Sequence, residues 1–254
     1  AYRASLAIRD VPAVRASYDK VVAEHGFRVL SHEVEADSAV PQICVKFSDT
    51  LPVERPDLAD FVTVEGGDGL AVEPQDQQIC INGVKHGGRY TIRLRAGLPA
   101  ADGETLDHPI EIAVYVRDRA PWVGFAGTAY VLPAGAGASI PLTSVNTDKA
   151  KATIYRIGDR SLAQAIRDGK FLSQLSTYSA EDIADSTGEQ VWQGEVLIKG
   201  ALNQNTITAI PIADAVPAMK PGAYVITAAP ATGGDGNDWG PVATQWFIVS
   251  ALGL

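Results

Sequence analysis

The side chains in this sequence that could bind a metal or transfer a proton are few and widely spaced. The chain has four histidines, and none lies at the short spacing of a metal-binding motif: His25, His32, His86 and His108. Asp102 and Glu104 could act as paired carboxylates, but Asp-Gly between two strand-like segments is typical of a tight turn. We therefore predict no metal site, and we predict that these two carboxylates lie in a turn.

Two glycine-rich stretches have the composition of ligand-binding loops but not their spacing. The sequence GGDGNDWG at 233–240 is similar to a calcium loop, yet Trp239 and Trp246 occupy the fifth and twelfth positions, where oxygen ligands belong. The sequence LPAGAGASIP at 132–141 opens no helix and so lacks a phosphate-binding N-terminus. Ser144 and Ser161 lie outside any strand–turn–helix context of a nucleophile. The sequence predicts no catalytic residue and no cofactor, and hence no enzyme.

Composition places the chain among globular proteins. It has 254 residues, of which 46% are hydrophobic and 20% charged, with a net charge of −9 at pH 7. This charge disfavours nucleic-acid binding, which needs clustered Lys and Arg. No segment approaches the roughly 18 consecutive apolar residues of a membrane helix. Two cysteines and one methionine are too few for a disulfide-dense scaffold or a thiolate metal site.

Short strands are the predicted elements of the first half, after one helical segment at residues 1–26. In that segment Asp10 is a candidate N-cap, Pro12 lies in the first turn, and a stripe of apolar residues ends at Gly26: Val14, Tyr18, Val21 and Val22. Seven strands are predicted next, at 27–36, 42–48, 61–65, 69–74, 77–82, 89–94 and 110–116. Such strands separated by Gly, Pro and Asp turns are typical of an antiparallel β-sandwich.

A second set of strands follows a short linker at 117–121. Strands are predicted from Trp122, and then at 128–132, 140–145, 152–157, 191–198, 206–212, 224–229 and 244–250. Between 161 and 187 the apolar residues recur every three or four positions, and Ser179-Ala-Glu-Asp182 has the form of a capping box. We predict an all-β chain of two tandem antiparallel β-sandwich domains, residues 27–118 and 119–254, the second with a helical insertion at about 161–187. Trp122 and Tyr130 are expected in the second core.

Several of these segments together resemble the N-terminal macroglobulin-type domains of bacterial alpha-2-macroglobulins. The resemblance covers roughly residues 27–254. It rests on ICVKFSDTLP (43–52), YTIRLRAGLPAADGETL (90–106), VRDRAPWVGFAGTAYVLP (116–133), IPLTSVNTDKAKATIYRIGDR (140–160), LNQNTITAIPI (202–212) and MKPGAYVITA (219–228). The closing ATQWFIVSALGL (243–254) resembles the end of one such domain, so we expect this sequence to be a segment of a longer chain.

The resemblance implies a scaffold segment of a periplasmic protease-trapping inhibitor. Its implied partners are the other domains of the full-length chain and, through that chain, target proteases. It also implies an inner-membrane lipid anchor outside this segment. The family's thioester requires a Cys before Gly-Glu-Gln, whereas Thr187 precedes Gly188-Glu-Gln190 here, so we predict a turn ahead of a strand. The alternative is a pair of Ig-like modules from a bacterial adhesin, which the helical insertion and the absence of a repeat between the two halves disfavour.

The two cysteines are predicted to form a structural disulfide. Cys44 and Cys80 each alternate with core-facing residues, so both thiols are expected on the outer face of the first sandwich. Their strands are the second and fifth, which are antiparallel neighbours in a seven-strand sandwich of this kind. Opposed positions on such neighbours are within disulfide range, and the periplasm implied by the resemblance would preserve the bond. Two free thiols, as in the cytosol, are the alternative.

Overall fold

A computed structural model of the chain describes residues 2–52, 56–127, 129–133, 138–217, 219–231 and 241–250. The chain divides into two compact units, residues 1–118 and 119–254. Among the helices in these ranges, none is long and apolar enough to cross a bilayer. The GGDGNDWG stretch, and residues 134–137 of the other glycine-rich stretch, lie outside the described part of the chain.

Two helices open the first unit, α1 (Tyr2–Ile8) and α2 (Pro12–His25). The proposed cap at Asp10 is wrong, because Val11 is the N-cap and its side chain makes no capping hydrogen bond. Arg15 Nε instead donates to Asp10 Oδ1 at 2.9 Å, and Nη2 donates to Oδ2 at 2.7 Å. These bonds from the guanidinium hold the pKa of Asp10 below its usual value.

The first unit has the seven strands that the turn pattern predicts. They are β1 (Val29–Val34), β2 (Ile43–Phe47), β3 (Val62–Glu65), β4 (Ala71–Gln75), β5 (Gln78–Asn82), β6 (Arg89–Leu94) and β7 (Ile110–Tyr115). A 3-10 helix, Pro56–Phe61, takes the place of the expected start of β3. The strands form two antiparallel sheets, β1-β2-β5-β4 and β3-β6-β7.

Alternation along these strands places one apolar face of each sheet in a common core. Val45 and Phe47 of β2, Ile79 and Ile81 of β5, and Ile92 of β6 are all fully buried there. The ring centroids of Phe27 and Phe47 are 5.2 Å apart in a stacked arrangement. Because side chains of a strand alternate in direction, the residues between these positions face away from the core.

The second unit also contains two sheets but departs from simple antiparallel pairing. Its strands are β8 (Trp122–Phe125), β9 (Ala129–Pro133), β10 (Ser139–Val145), β11 (Lys149–Ile157), β12 (Leu175–Ser176), β13 (Gly188–Leu197), β14 (Thr206–Pro211), β15 (Gly222–Pro230) and β16 (Pro241–Ser250). One sheet has the order β14-β10-β8, and the other has the order β12-β16-β15-β11-β13 with β9 also beside β16. The β9–β16 pair is parallel, whereas the other strand pairs in the described ranges are antiparallel.

The predicted helical insertion is confirmed and lies on the outer face of the larger sheet. It comprises α3 (Asp159–Arg167), β12, α4 (Thr177–Asp182) and a π-helical turn, Ile183–Thr187. The capping prediction was three residues late, because Ser176 is the N-cap of α4 and its side chain accepts a hydrogen bond from Ser179 N. A further short helix, α5 (Ile212–Ala215), follows β14.

The larger sheet is therefore covered on both faces. Ile154, Tyr224 and Phe247 are buried in the core shared with the smaller sheet. Val225 and Trp246 face the other way, into a second apolar cluster formed with the insertion. The expectation that Trp122 and Tyr130 belong to the core is wrong, since they are 51% and 41% exposed. Tyr130 lies on β9, whose only strand partner among the described residues is β16, and Trp122 begins β8 at the edge of the smaller sheet.

Candidate functional site

Cys44 and Cys80 are joined by a disulfide across two neighbouring strands. They are directly opposed in the β2–β5 ladder, with their Cα atoms 4.1 Å apart. Cys44 is half-buried, whereas Cys80 is fully buried at 0% exposure. Neither belongs to the apolar core of the unit. The expected position on the face away from the core thus holds, but Cys80 is closed to solvent there whereas Cys44 is partly accessible.

Two carboxylates flank this disulfide in the same cross-strand row. Glu33 of β1 is the register partner of Cys44, and Glu73 of β4 is the register partner of Cys80. Directly paired residues of antiparallel strands project from the same face of the sheet, so the row is Glu33, Cys44, Cys80, Glu73. Both glutamates are exposed. The sequence analysis paired the second strand with the fifth but did not assign β1 and β4 as their outer neighbours, and for this reason it did not identify the two glutamates.

Asp102 and Glu104 support a turn, as predicted. Asp102 Oδ1 accepts a hydrogen bond from Glu104 N at 3.0 Å, and Gly103 has a positive φ of 89°. Glu104 Oε2 accepts a hydrogen bond from Phe27 N at 3.1 Å. The two carboxylates therefore satisfy backbone donors, which gives each a structural role at this position.

The histidines are distributed over separate parts of the first unit. His25 ends α2, His32 lies on β1 and His108 precedes β7. His86 Nε2 lies 2.8 Å from Ala36 O, at hydrogen-bonding distance. In the described ranges no group of three or more His, Cys, Asp or Glu side chains could hold a metal ion.

Residues Gly188-Glu-Gln190 do not form the predicted turn. They begin β13 and pair with Ile157, Arg156 and Tyr155 of β11, respectively. The register of this pair shifts between Ile154 and Tyr155, which leaves Val191 as an extra residue in β13. A β-bulge of this kind bends the strand without ending it, so a Gly-Glu sequence can lie within a strand here.

An asparagine pair that the sequence did not single out fixes the first residues of the second unit. Asn146 Nδ2 donates to Asn203 Oδ1 at 2.8 Å and to Arg119 O at 2.7 Å, while Asn146 Oδ1 accepts from Asn203 N at 2.6 Å. Arg119 N also donates to Asn203 Oδ1, and Arg119 Nη1 donates to Asn205 Oδ1 at 2.8 Å. Both Asn146 and Asn203 have positive φ, 49° and 63°. Asn after a strand is the sequence signal that could have indicated this backbone geometry.

The serines considered as nucleophiles have ordinary structural positions. Ser144 is buried on β10, and its Oγ donates to Thr206 O at 3.3 Å. Ser161 is half-buried on α3, where it lines a small cavity of about 50 Å³ with Trp246. Lys170 Nζ and Asp182 Oδ2, 3.4 Å apart, also line this cavity. The ion pair connects the segment after α3 to the end of α4.

Comparison with known proteins identifies the second unit most directly. Residues 124–233 match the family model of the bacterial alpha-2-macroglobulin MG2 domain. An alpha-2-macroglobulin of Xylella fastidiosa is 27% identical over 171 residues, which are 65% of this chain and 10% of that protein. The alpha-2-macroglobulin of Escherichia coli K12 is 22% identical over 126 residues, which are 50% of this chain and 8% of that protein.

A solved structure shows that the likeness extends to the fold. The crystal structure of Salmonella alpha-2-macroglobulin reacted with methylamine matches with a TM-score of 0.54 and 18% identity. The match covers 91% of this chain and 14% of that one. The chain thus spans a small part of the length of the proteins it resembles, and both of its units lie within the matched fold.

Proposed function

We propose, from the premise that the chain belongs to the bacterial alpha-2-macroglobulin family, that it supplies two consecutive scaffold domains of a periplasmic protease-trapping inhibitor. The observation that carries this proposal is the match of residues 124–233 to the MG2 domain. We assign residues 27–118 to the first macroglobulin-like domain and 119–254 to the second. Residues 1–26 form a helical segment ahead of the first domain.

The structure of each unit suits a scaffold. Both units bury aromatic and branched side chains between two sheets, and the larger sheet of the second unit is covered on its outer face as well. Well-packed interiors of this kind deform little and transmit strain. The carboxylates, histidines and serines that could have formed a catalytic group instead satisfy backbone groups or lie apart. We therefore propose a structural role without catalysis.

This role implies two kinds of partner, which are the other domains of the same polypeptide and target proteases. We infer that the two domains connect to further domains of the same polypeptide and meet target proteases only as part of that polypeptide. An inner-membrane lipid anchor would belong to a segment outside residues 1–254. A trapping thioester would also lie elsewhere, since the Gly-Glu-Gln of this chain lies in β13 without a preceding Cys.

A protease assay on the chain itself tests the scaffold assignment. We expect no inhibition of trypsin or elastase and no covalent methylamine adduct, scored by residual proteolytic activity and intact mass. A stoichiometric adduct with either protease would overturn the assignment. The comparison protein is the full-length chain, which we expect to lower the residual activity of the same protease.

A substitution pair in the full-length inhibitor tests whether the second unit contributes to trapping. Trp246 is 1% exposed beneath the insertion, whereas Ile207 is 72% exposed on β14. We expect Trp246→Ala to reduce the inhibition of the target protease by the full-length protein and Ile207→Ala to leave this inhibition unchanged. Equal trapping by both variants, with the second unit shown to be unfolded in Trp246→Ala, would contradict a scaffold role.

A further inference from the structure

The two cysteines of the disulfide differ in their exposure to solvent. Cys80 is fully buried, whereas Cys44 is half-buried. Their strands do not account for this difference, because β2 and β5 are both inner strands, each one strand from an edge of the four-stranded sheet. Thiol–disulfide exchange requires contact between the attacking thiolate and one sulfur. Because Cys44 is the more exposed of the two residues, attack in the folded protein is favoured at Cys44.

The direction of attack is fixed by the strand order. A thiolate displaces one sulfur from the other and approaches opposite the sulfur that leaves. The bond leads from β2 to β5, so attack on Cys44 Sγ comes from the side of β1. The residue opposite Cys44 on β1 is Glu33. Attack on Cys80 Sγ would come from the side of β4, where Glu73 is the opposite residue.

The charge near this approach is predominantly negative. Glu33 and Glu73 form no ion pair within the described ranges, and Glu35, just past the end of β1, accepts a hydrogen bond from Gln42 Nε2 at 2.9 Å. Lys46, two residues beyond Cys44, is the nearest cation along that strand and forms no ion pair with these carboxylates. An anionic thiol must therefore approach Cys44 past a carboxylate that water screens only partly.

We propose that Cys44 Sγ is the single site of thiol modification in the folded protein and that the Glu33 carboxylate selects neutral or cationic thiols over anionic ones. In the reaction a thiolate bonds to Cys44 Sγ, and the Sγ–Sγ bond breaks to leave a Cys80 thiolate. A second thiolate then bonds to the sulfur of the first thiol. This step joins the two external thiols in a disulfide and releases Cys44 as a thiolate. The two external thiols are thereby oxidised, and the protein disulfide is reduced.

The rate of reduction by thiols of different charge tests this selection. Cysteamine, mercaptoethanol and mercaptopropionate carry a positive, a neutral and a negative group, and their rate constants are compared per thiolate on the folded protein. We expect the rate to fall in that order. Removing one charge by Glu33→Gln should raise the rate with mercaptopropionate about threefold, an effect that shrinks as salt is added.

Control variants distinguish the effect of where a carboxylate lies from the effect of the protein's net charge. Glu111→Gln removes the same charge from β7, which belongs to the other sheet of this unit, and should leave all three rates unchanged. Glu73→Gln should have a smaller effect than Glu33→Gln, because Cys80 is not the sulfur attacked. Quenching the reaction in acid, unfolding the protein in denaturant and then alkylating it with N-ethylmaleimide should place the thiol adduct on Cys44 and the maleimide on Cys80, as mapped by mass spectrometry.

Three results would overturn the proposal. An adduct on Cys80 would contradict the site of attack. Equal effects of Glu33→Gln and Glu111→Gln would contradict the role of Glu33. A reduction rate that does not depend on thiol concentration would show that only the opened protein reacts, so that the folded disulfide has no accessible sulfur.

Discussion

The side-chain amide of Gln174 makes two hydrogen bonds with the backbone of Thr244. Gln174 Nε2 donates to Thr244 O at 3.0 Å, and Gln174 Oε1 accepts from Thr244 N at 3.1 Å. β9 pairs with residues 246–250 of β16 and β12 pairs with residues 241 and 242, all along the same edge. The Gln174 amide therefore occupies the gap between these two short strands and pairs with β16 as a strand residue would.

Replacement of this amide should weaken the second unit. We expect Gln174→Ala to lower the free energy of unfolding by about 1–2 kcal/mol, because Thr244 loses both backbone partners. Gln174→Glu should cost as much, since a carboxylate can accept from Thr244 N but repels Thr244 O. Urea unfolding followed by tryptophan fluorescence measures both, because all four tryptophans lie in residues 119–254. Gln164→Ala, at an exposed position on α3, is the control and should be neutral.

Asn146 and Asn205 permit a test in which the same substitution, Asn to Asp, should have different effects because one side chain donates and the other accepts. Asn146→Asp should lower the free energy of unfolding by about 2–3 kcal/mol, since Asn146 donates to both Arg119 O and Asn203 Oδ1. Asn205→Asp should be neutral or stabilising, because Asn205 accepts from the Arg119 guanidinium. Fluorescence-monitored unfolding is again the measurement, and equal losses in the two variants would contradict the assigned bond directions.

The disulfide should contribute to the stability of the first unit alone. Its cysteines are 36 residues apart in sequence, for which the chain-entropy model gives about 3–4 kcal/mol. We expect the double variant Cys44→Ala/Cys80→Ala to lose this amount in urea unfolding followed by far-ultraviolet circular dichroism. The tryptophan transition should not move, because the first unit contains no tryptophan.

Two glycines in the connection from β3 to β4 should respond differently to the same substitution. A Cβ on Gly66, at a φ of +116°, would clash with Arg89 O, whereas one on Gly69, at a φ of +71°, would meet nothing within 4 Å. Gly66→Ala should therefore cost about 3 kcal/mol or more, since both strain and a backbone clash act, and Gly69→Ala about 1 kcal/mol. Thermal unfolding by circular dichroism distinguishes them.

Tyr155 should make the second unit sensitive to alkali. Burial raises the pKa of its phenol above the usual value near 10, although a hydrogen bond with Thr153 opposes the shift. The folded state therefore holds the proton at a pH where the unfolded state has lost it. The resulting stabilisation is full below about pH 10 and falls as the pH rises towards the folded pKa. Tyr155→Phe should reduce this decline, as measured by urea unfolding at pH 8 and at pH 11.

Much of the secondary structure could be predicted because it depends on local pattern. Alternating apolar residues located β2, β5 and β6 to within a residue or two, and the change to helical spacing located the insertion. Helix starts were less predictable, since several polar residues can cap. Asp10 pairs with Arg15 instead of capping, and Ser176 precedes the expected Ser179.

Apart from the pairing of β2 with β5, features that depend on strand order could not be predicted from the pattern. Gly188-Glu-Gln190 has the composition of a turn, but its pairing with β11 makes it a strand. Trp122 and Tyr130 are apolar enough for a core, but edge positions expose them. The flanking of the disulfide by Glu33 and Glu73 likewise follows from β1 and β4 being the outer strands of their sheet.

The central position of β16 sets an order of events during synthesis. This strand pairs with β15 on one edge and with β9 and β12 on the other, and it precedes none of them along the chain. A nascent chain released only as far as residue 240 would hold β9 and β15 without the strand that separates them, and the insertion would lack Trp246 beneath it. Pairing across such long sequence separations is slow. The second sandwich can therefore close only after its last strand has emerged, so during synthesis its exposed strand edges need protection from other chains.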